Sequence, residues 1–190
     1  ISLESATLHP LQSLTDIITI EENRINNRQS VLVKPKVVLS WAPHIKPLPQ
    51  CVANSFVQWV NAWGGADFVI AHPEDHELSE ECTKGAYITN NQQEALEGAD
   101  FVYVKNWSST SPYGQVIHQE HDWMLTPEKL QSTNNAKVMH CLPVRRNVEL
   151  SGAILDGPNS IVTQQAGNRV WAAQAVLEQI LLGLSPKISL

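Results

Sequence analysis

Six short apolar runs rich in valine and isoleucine recur along the chain: KVVLSW (36–41), DFVIAH (67–72), AYIT (86–89), DFVYVK (100–105), KVMHCL (137–142) and SIVT (160–163). Most lack the alternation of a strand with one wet face, so they predict strands covered on both sides. Helical periodicity fills several of the intervals. It is clearest near the end, where Val170, Ala173, Leu177, Ile180, Leu181 and Leu184 recur at three- and four-residue steps. Strands alternating with helices imply an α/β fold, an open and mostly parallel sheet with helices on both faces.

A chain of 190 residues suits one domain with one sizeable core. Its 13 basic and 19 acidic residues give a net charge of −6, which argues against the broad basic face that nucleic acid requires. An anionic ligand would have to be held by a few cations gathered locally against that field. The three cysteines, Cys51, Cys82 and Cys141, lack paired spacing, so no disulfide framework and a reducing, cytoplasmic location are expected. No apolar run approaches the roughly 18 residues of a membrane span, and no charged-then-apolar signal opens the chain. It starts at Ile1 rather than Met, as though partway into a longer structure, so a fragment is expected.

Residues 1–24 carry the first helix, 25–35 a loop and 36–190 the α/β domain. Pro10 suits the first helical position and leaves His9 at the cap. Leu11, Leu14 and Ile18 then form one stripe, with His9, Gln12 and Asp16 nearly opposite. His9 and Gln12 share a face and could grip a carbonyl or an amide; a capped, solvated helix start fits the spacing equally well. The repeated GADFVI (65–70) and GADFVY (98–103) are too few for a solenoid and read as glycine closing a helix before a strand begins at the aspartate.

In open parallel sheets ligands bind beyond the carboxyl ends of the strands. The residues after each run are therefore informative: His44 and Lys46, then His72, then Lys105 with Asn106, then HCLPVRRN with Arg145 and Arg146. These cations collect on one edge. His140 and Cys141 tempt a catalytic dyad, but strand neighbours point to opposite faces, so one belongs to the core. Pro143 removes a donor and ends the strand, freeing carbonyls near Cys141 and Leu142. No G-x-G-x-x-G follows a strand, and HQEH (118–121) lacks the further ligands of a metal site, so neither dinucleotide nor metal is expected.

The segments ESATLHPLQSLTDIITI, SWAPHIKPLPQ, VKNW, and HCLPVRRN followed by NRVWAAQAVL resemble the second domain of the aspartate and ornithine carbamoyltransferases. H-P-x-Q and H-C-L-P-x-R-R are specific to that group, and the resemblance covers nearly the whole chain. It is strongest toward the enzymes of N-acylated ornithine, N-succinylornithine favoured over N-acetylornithine. Enzymes of free ornithine carry an S-M-G loop where this chain reads KNWSSTSPYG.

The resemblance implies a Rossmann-like carbamoyltransferase C-terminal domain, with residues 1–24 as an interdomain helix and the carbamoyl-phosphate domain outside this chain. It implies carbamoyl transfer from carbamoyl phosphate to the δ-amine of an acylornithine in arginine biosynthesis, by a homotrimer without cofactor or metal. His9, Gln12 and Arg169 would be catalytic and would bind carbamoyl phosphate, together with Cys141 and Leu142. Glu4, His44, Lys105 and Arg145 would bind the acylornithine. The 190-residue chain by itself would be folded but inactive. Three other readings stand beside this one: a non-catalytic α/β module binding an amino-acid derivative, an enzyme of free ornithine, and a cysteine hydrolase built on Cys141.

Overall fold

A computed structural model describes residues 4–26, 33–109 and 121–183. The chain order is α1 (Pro10–Asn26), β1 (Lys36–Trp41), α2 (Cys51–Trp63), β2 (Asp67–Ala71), α3 (Glu80–Thr83), β3 (Tyr87–Thr89), α4 (Gln92–Leu96), β4 (Phe101–Lys105), a 3-10 turn (His121–Trp123), α5 (Pro127–Leu130), β5 (Lys137–Met139), α6 (Gly152–Leu155) and α7 (Val162–Leu181). The strands form one sheet in the order β3-β2-β1-β4-β5. All four neighbouring pairs are parallel.

The valine-rich runs become strands because both of their faces are covered. Val37, Val38 and Leu39 in β1 and Val102, Tyr103 and Val104 in β4 are fully buried. Helix α1 packs against α2 and α7, while α4 packs against α5 and the sheet. Burying one such valine or leucine contributes about 1.5–3 kcal/mol, so the central strands anchor the domain. Among the described residues no helix is long and apolar enough to cross a membrane.

Two expected strands differ. KVMHCL is a strand only to Met139, and SIVT is not a strand at all. Val138 N–H donates to Asn159 O, and Ile161 N–H donates back to Val138 O, so Ser160 makes a single bridge beside β5. Gln165 N–H then donates to Ile161 O, and the chain turns into α7. Helix α1 runs to Asn26, past the expected boundary at 24, and residues 27–32 of the expected loop lie outside the described ones. Gly64 rather than Gly65 closes α2, with a left-handed φ of 64° and its N–H on Val60 O.

The two long helices turn the opposite way from their apolar periodicity. In α1 the side carrying His9, Gln12, Asp16, Thr19 and Asn23 is buried, and Leu11, Leu14 and Ile18 are only half-buried. In α7 the stripe of Val170, Leu177, Ile180 and Leu181 is exposed, Leu181 by 84%, and Leu184 lies outside the described residues. The buried side of α7 is Val162, Gln165, Asn168 and Ala172. The seam between the helices is polar. Asn168 Nδ2 donates to Thr19 Oγ1 at 3.0 Å and to Glu22 Oε2 at 2.7 Å, and Gln164 Nε2 donates to the same carboxylate at 2.9 Å.

Candidate active site

The chain leaves β1 toward β2 on one side, and later returns to lay β4 on the other. Loops leaving the carboxyl ends of β1 and β4 therefore diverge, which opens a crevice at that switch point. A cavity of about 640 Å³ lies there, within the range of small-molecule sites. Its walls include Glu4, His9 and Gln12 from the start of α1, His44 and Lys46 after β1, Lys105 from β4, Cys141, Leu142 and Arg145 after β5, and Arg169 from α7. The nine site residues implied by the family resemblance thus share one cavity, with Lys46 beside them.

The entry to α1 is built as expected. Ser13 N–H donates to His9 O, making His9 the cap. His9 N–H donates to Ser55 Oγ at 2.7 Å, which ties this helix start to α2. A turn closed by Leu8 N–H on Ser5 Oγ brings Glu4 back, so that its Oε2 lies 3.8 Å from His9 Nε2. Below them Gln12 Nε2 donates to Asp16 Oδ1 at 2.8 Å.

The β1 and β4 loops are stapled together: Ala42 N–H donates to Lys105 O, and Asn106 Nδ2 donates to Ala42 O at 2.7 Å. Lys105 is thereby held at the cavity floor, 7% exposed, and makes no ion pair with another described residue. Burying an ammonium is costly; the Glu149 carboxylate offsets part of that cost from a distance, and an anionic ligand would offset more. The cavity walls carry four cationic side chains, Lys46, Lys105, Arg145 and Arg169, against one carboxylate, Glu4. This reverses locally the overall charge of −6.

The HCLPVRRN segment divides its labour. His140 is buried and hydrogen-bonds Glu149 Oε1 through Nε2 at 3.1 Å. Leu142 N–H donates to His140 Nδ1 at 2.9 Å, and Arg145 N–H to Glu149 Oε2 at 2.8 Å, so the pair folds the turn. Leu142 sits at a left-handed φ of 57°, before a cis peptide bond to Pro143. Arg145 faces the cavity, where Nε donates to His44 Nε2 at 3.1 Å. Its neighbour does not join it. Arg146 is clamped in two hydrogen bonds to Asp156, at 2.6 and 2.7 Å, and leaves the set of edge cations. His72 leaves it too: it is buried, bonds Pro73 O through Nδ1, and burial lowers its basicity.

Neither cavity thiol is an activated nucleophile. Burial pushes Cys141 up, more than Lys105 lowers it. Burial and then the Glu4 carboxylate push Cys51 up. His140, whose ring is committed to Glu149 and Leu142, is no partner for Cys141. No group of three or more metal-ligating side chains occurs among the described residues. Residues 118–120 of HQEH and 110–114 of KNWSSTSPYG lie outside those described.

Sequence reasoning passed over Leu48, Pro49, Cys51 and Val52, which line the cavity at the start of α2. Their signal was topological, since every helix following a parallel strand begins at the carboxyl edge of the sheet. It also passed over Glu149, which accepts from the lining residue Arg145, and Gln165, which reaches the lining only by way of His140 and Asp16.

Residues 50–180 match the family described as aspartate/ornithine carbamoyltransferase, Asp/Orn binding domain. The chain belongs to this family. N-succinylornithine carbamoyltransferase of Bacteroides thetaiotaomicron is 46% identical over 185 residues, covering 96% of this chain and 56% of the relative. N-acetylornithine carbamoyltransferase of Xylella fastidiosa is 31% identical over 93% of this chain and 56% of its own length. A crystal structure of an N-acetyl-L-ornithine transcarbamylase mutant, complexed with carbamyl phosphate and N-succinyl-L-norvaline, superposes with a TM-score of 0.83 at 30% identity, over 93% of this chain and 57% of that one. The chain thus spans about half the length of the curated relatives it matches.

Proposed function

We propose that the protein containing this chain transfers the carbamoyl group of carbamoyl phosphate to the δ-amine of an N-acylated ornithine, giving N-acylcitrulline and phosphate for arginine biosynthesis. N-succinylornithine is favoured over N-acetylornithine, in line with 46% against 31% identity to the two kinds of relative. The observation that carries the reading is the single cavity in which Arg169 and Gln12 stand together with Lys105 and Arg145. In this reading His9, Gln12 and Arg169, with the carbonyls of Cys141 and Leu142, hold carbamoyl phosphate. Glu4, His44, Lys105 and Arg145 hold the acylornithine.

The reaction needs no enzyme nucleophile. The neutral δ-amine attacks the carbamoyl carbon, the carbon–nitrogen bond forms, the bond to the phosphate oxygen breaks, and the departing phosphate takes the amine's proton. The side chains orient two reactants and stabilise charge developing on the carbamoyl oxygen. Cations and amide groups suffice for both tasks. Three free cysteines suit the reducing cytoplasm proposed as its location. The intact protein is proposed to be a homotrimer with a carbamoyl-phosphate domain, and the 190-residue chain alone to be inactive.

The test is acylcitrulline or citrulline formation by the intact protein with ornithine, N-acetylornithine and N-succinylornithine side by side. Fastest turnover is expected with N-succinylornithine. Preference for free ornithine would refute the acyl assignment, and tight carbamoyl phosphate binding without phosphate release on any of the three would favour a non-catalytic module.

A further inference from the structure

Beneath the cavity lies a carboxylate that touches no solvent and that the reaction above does not use. Asp16 is fully buried, and its Oδ1 receives two amide donors from different helices: Gln12 Nε2 of α1 at 2.8 Å and Gln165 Nε2 of α7 at 2.7 Å. Gln165 is itself fully buried and passes the contact on, its Oε1 accepting His140 N–H at 2.9 Å. Asp16 therefore joins the first half of α1, the beginning of α7 and the turn after β5. Those three segments carry Gln12, Arg169, and Cys141 with Leu142.

We propose that Asp16 is the positioning residue of the carbamoyl end of the cavity, fixing which atom Gln12 presents and where α7 and the His140–Leu142 turn stand. This rests on the carbamoyl-transfer reading above. The reasoning starts from what a carboxylate oxygen can do. Oδ1 only accepts, so both glutamines must turn their NH2 groups toward it. Gln12 Oε1 is then the atom left over, and it is buried without a hydrogen-bond partner in a residue that lines the cavity. An orphaned buried acceptor is costly, and the NH2 of a carbamoyl group would satisfy it. With its amide reversed, Gln12 would offer a donor there and repel that NH2.

The second arm works through helix rotation. Gln165 and Arg169 are four residues apart on α7 and so share a face; holding Gln165 against Asp16 sets the direction from which Arg169 approaches. The third arm is the Gln165 bond to His140 N–H, at the residue that precedes Cys141. The other carboxylate oxygen, Oδ2, and the Tyr103 hydroxyl near it lack well-formed hydrogen bonds. Burial raises Asp16 to about 7, the Gln165, Gln12 and Tyr103 contacts only partly offsetting it. Oδ1 accepts both amides whether or not Oδ2 is protonated, so the positioning does not depend on the charge.

Two substitutions in the intact protein separate positioning from mere packing. Asp16→Asn keeps an acceptor at Oδ1 and gives Tyr103 a donor; Asp16→Leu removes the acceptor at similar volume. Loss of a buried hydrogen-bonded acceptor in Asp16→Leu is expected to raise the KM for carbamoyl phosphate by about tenfold or more, while the KM for the acylornithine stays within about twofold, because His44 and Lys105 lie on other loops and the Arg145 end of the β5 turn is anchored by Glu149 rather than by Gln165. Asp16→Asn is expected to stay near wild type for both. Should Asp16→Leu fail to fold, Gln165→Leu, which cuts the second and third arms, must show the same one-sided rise. Unchanged carbamoyl phosphate KM in a folded Leu variant, or equal loss for both substrates, would overturn the proposal, as would an Asn variant as defective as the Leu one. Titration of the wild type with carbamoyl phosphate keeps the readings apart: absence of binding there sinks the carbamoyl-transfer reading itself, whereas binding that is indifferent to these substitutions sinks only the role of Asp16.

Discussion

His140 Nε2 and Glu149 Oε1 stand 3.1 Å apart with both side chains sealed from solvent, and the turn bearing Cys141, Leu142 and Arg145 is folded around them. Because Leu142 N–H donates to Nδ1, the hydrogen-bond pattern assigns the ring proton to Nε2, where it is given to Glu149. Removing the carboxylate leaves the buried Nε2–H donor unpaired, which costs about 1–3 kcal/mol. Glu149→Ala should therefore lose that much stability in urea denaturation of the intact protein, and Glu149→Gln, which keeps an acceptor for His140, distinctly less. A loss in the alanine variant below about 1 kcal/mol, the level of an exposed pair, would mean that the turn is held by other contacts.

Asp16 and Glu149 make opposite contributions to the pH dependence of stability. Burial pushes Glu149 up, but His140, the Arg145 N–H and Lys105 outweigh it and hold the carboxyl below its ordinary 4.5. Its stabilisation is present above 4.5 and is lost as the pH falls through the lower folded value. Asp16 is raised from 3.8 to about 7, so the native state holds a proton that the unfolded chain has released; that contribution is present below 3.8 and disappears as the pH rises through about 7. Asp16→Asn removes the second dependence. Between about pH 4 and pH 8 the variant should gain on wild type by up to about 4 kcal/mol, read from urea midpoints at the two pH values. A difference that does not change with pH would show that Asp16 carries no such shift.

The strands were legible in the sequence because a parallel strand buried on both sides writes its environment into a continuous apolar run; KVVLSW is β1 residue for residue. SIVT was misleading, because its isoleucine and valine bury one side of a bridge and a helix start rather than a strand. Apolar periodicity found α1 and α7 but not which side of each faces inward. Their inward sides also carry amides and carboxylates that pair with one another, residues that hydropathy counts as solvent-facing. Of the cavity residues, His44, Lys46, Lys105, Leu142 and Arg145 could be named from the rule that ligands lie beyond strand ends, His9 and Gln12 shared a helix face, and Glu4 and Arg169 were implied by the family resemblance alone. Arg145 and Arg146 could not be told apart, since only the geometry of the turn sends one toward His44 and the other to Asp156.

His44 acts on Arg145 through a defined tautomer. A guanidinium can only donate, so Nε2 must carry the lone pair and Nδ1 the proton, which it gives to Lys46 O at 2.8 Å. Replacing His44 with phenylalanine removes the acceptor and frees Arg145 to swing. The KM for the acylornithine should rise by roughly fivefold, one ordinary hydrogen bond's worth, and His44→Gln should recover part of it. An unchanged acylornithine KM in the phenylalanine variant would show that the contact has no role in binding.

The thiols should be slow to react. With Cys51 and Cys141 both pushed up by burial, little thiolate exists at neutral pH. Incubation with iodoacetamide at pH 7 should leave most of the transferase activity, and Cys141→Ser should still turn over. Rapid stoichiometric alkylation of Cys141 with complete inactivation would instead support a cysteine-centred reaction.

The most direct measurement is a crystal structure of the intact protein with a bisubstrate analogue, a phosphonate joined through a carbonyl to an N-succinylated amino acid. The ligand is expected in the cavity at the β1–β4 switch point, its carbonyl end against Gln12 and Arg169 and its acylated amino-acid end against Lys105 and Arg145. Density at any other place, or an empty cavity at saturating ligand in a protein that turns over, would contradict the assignment of these residues to one shared site.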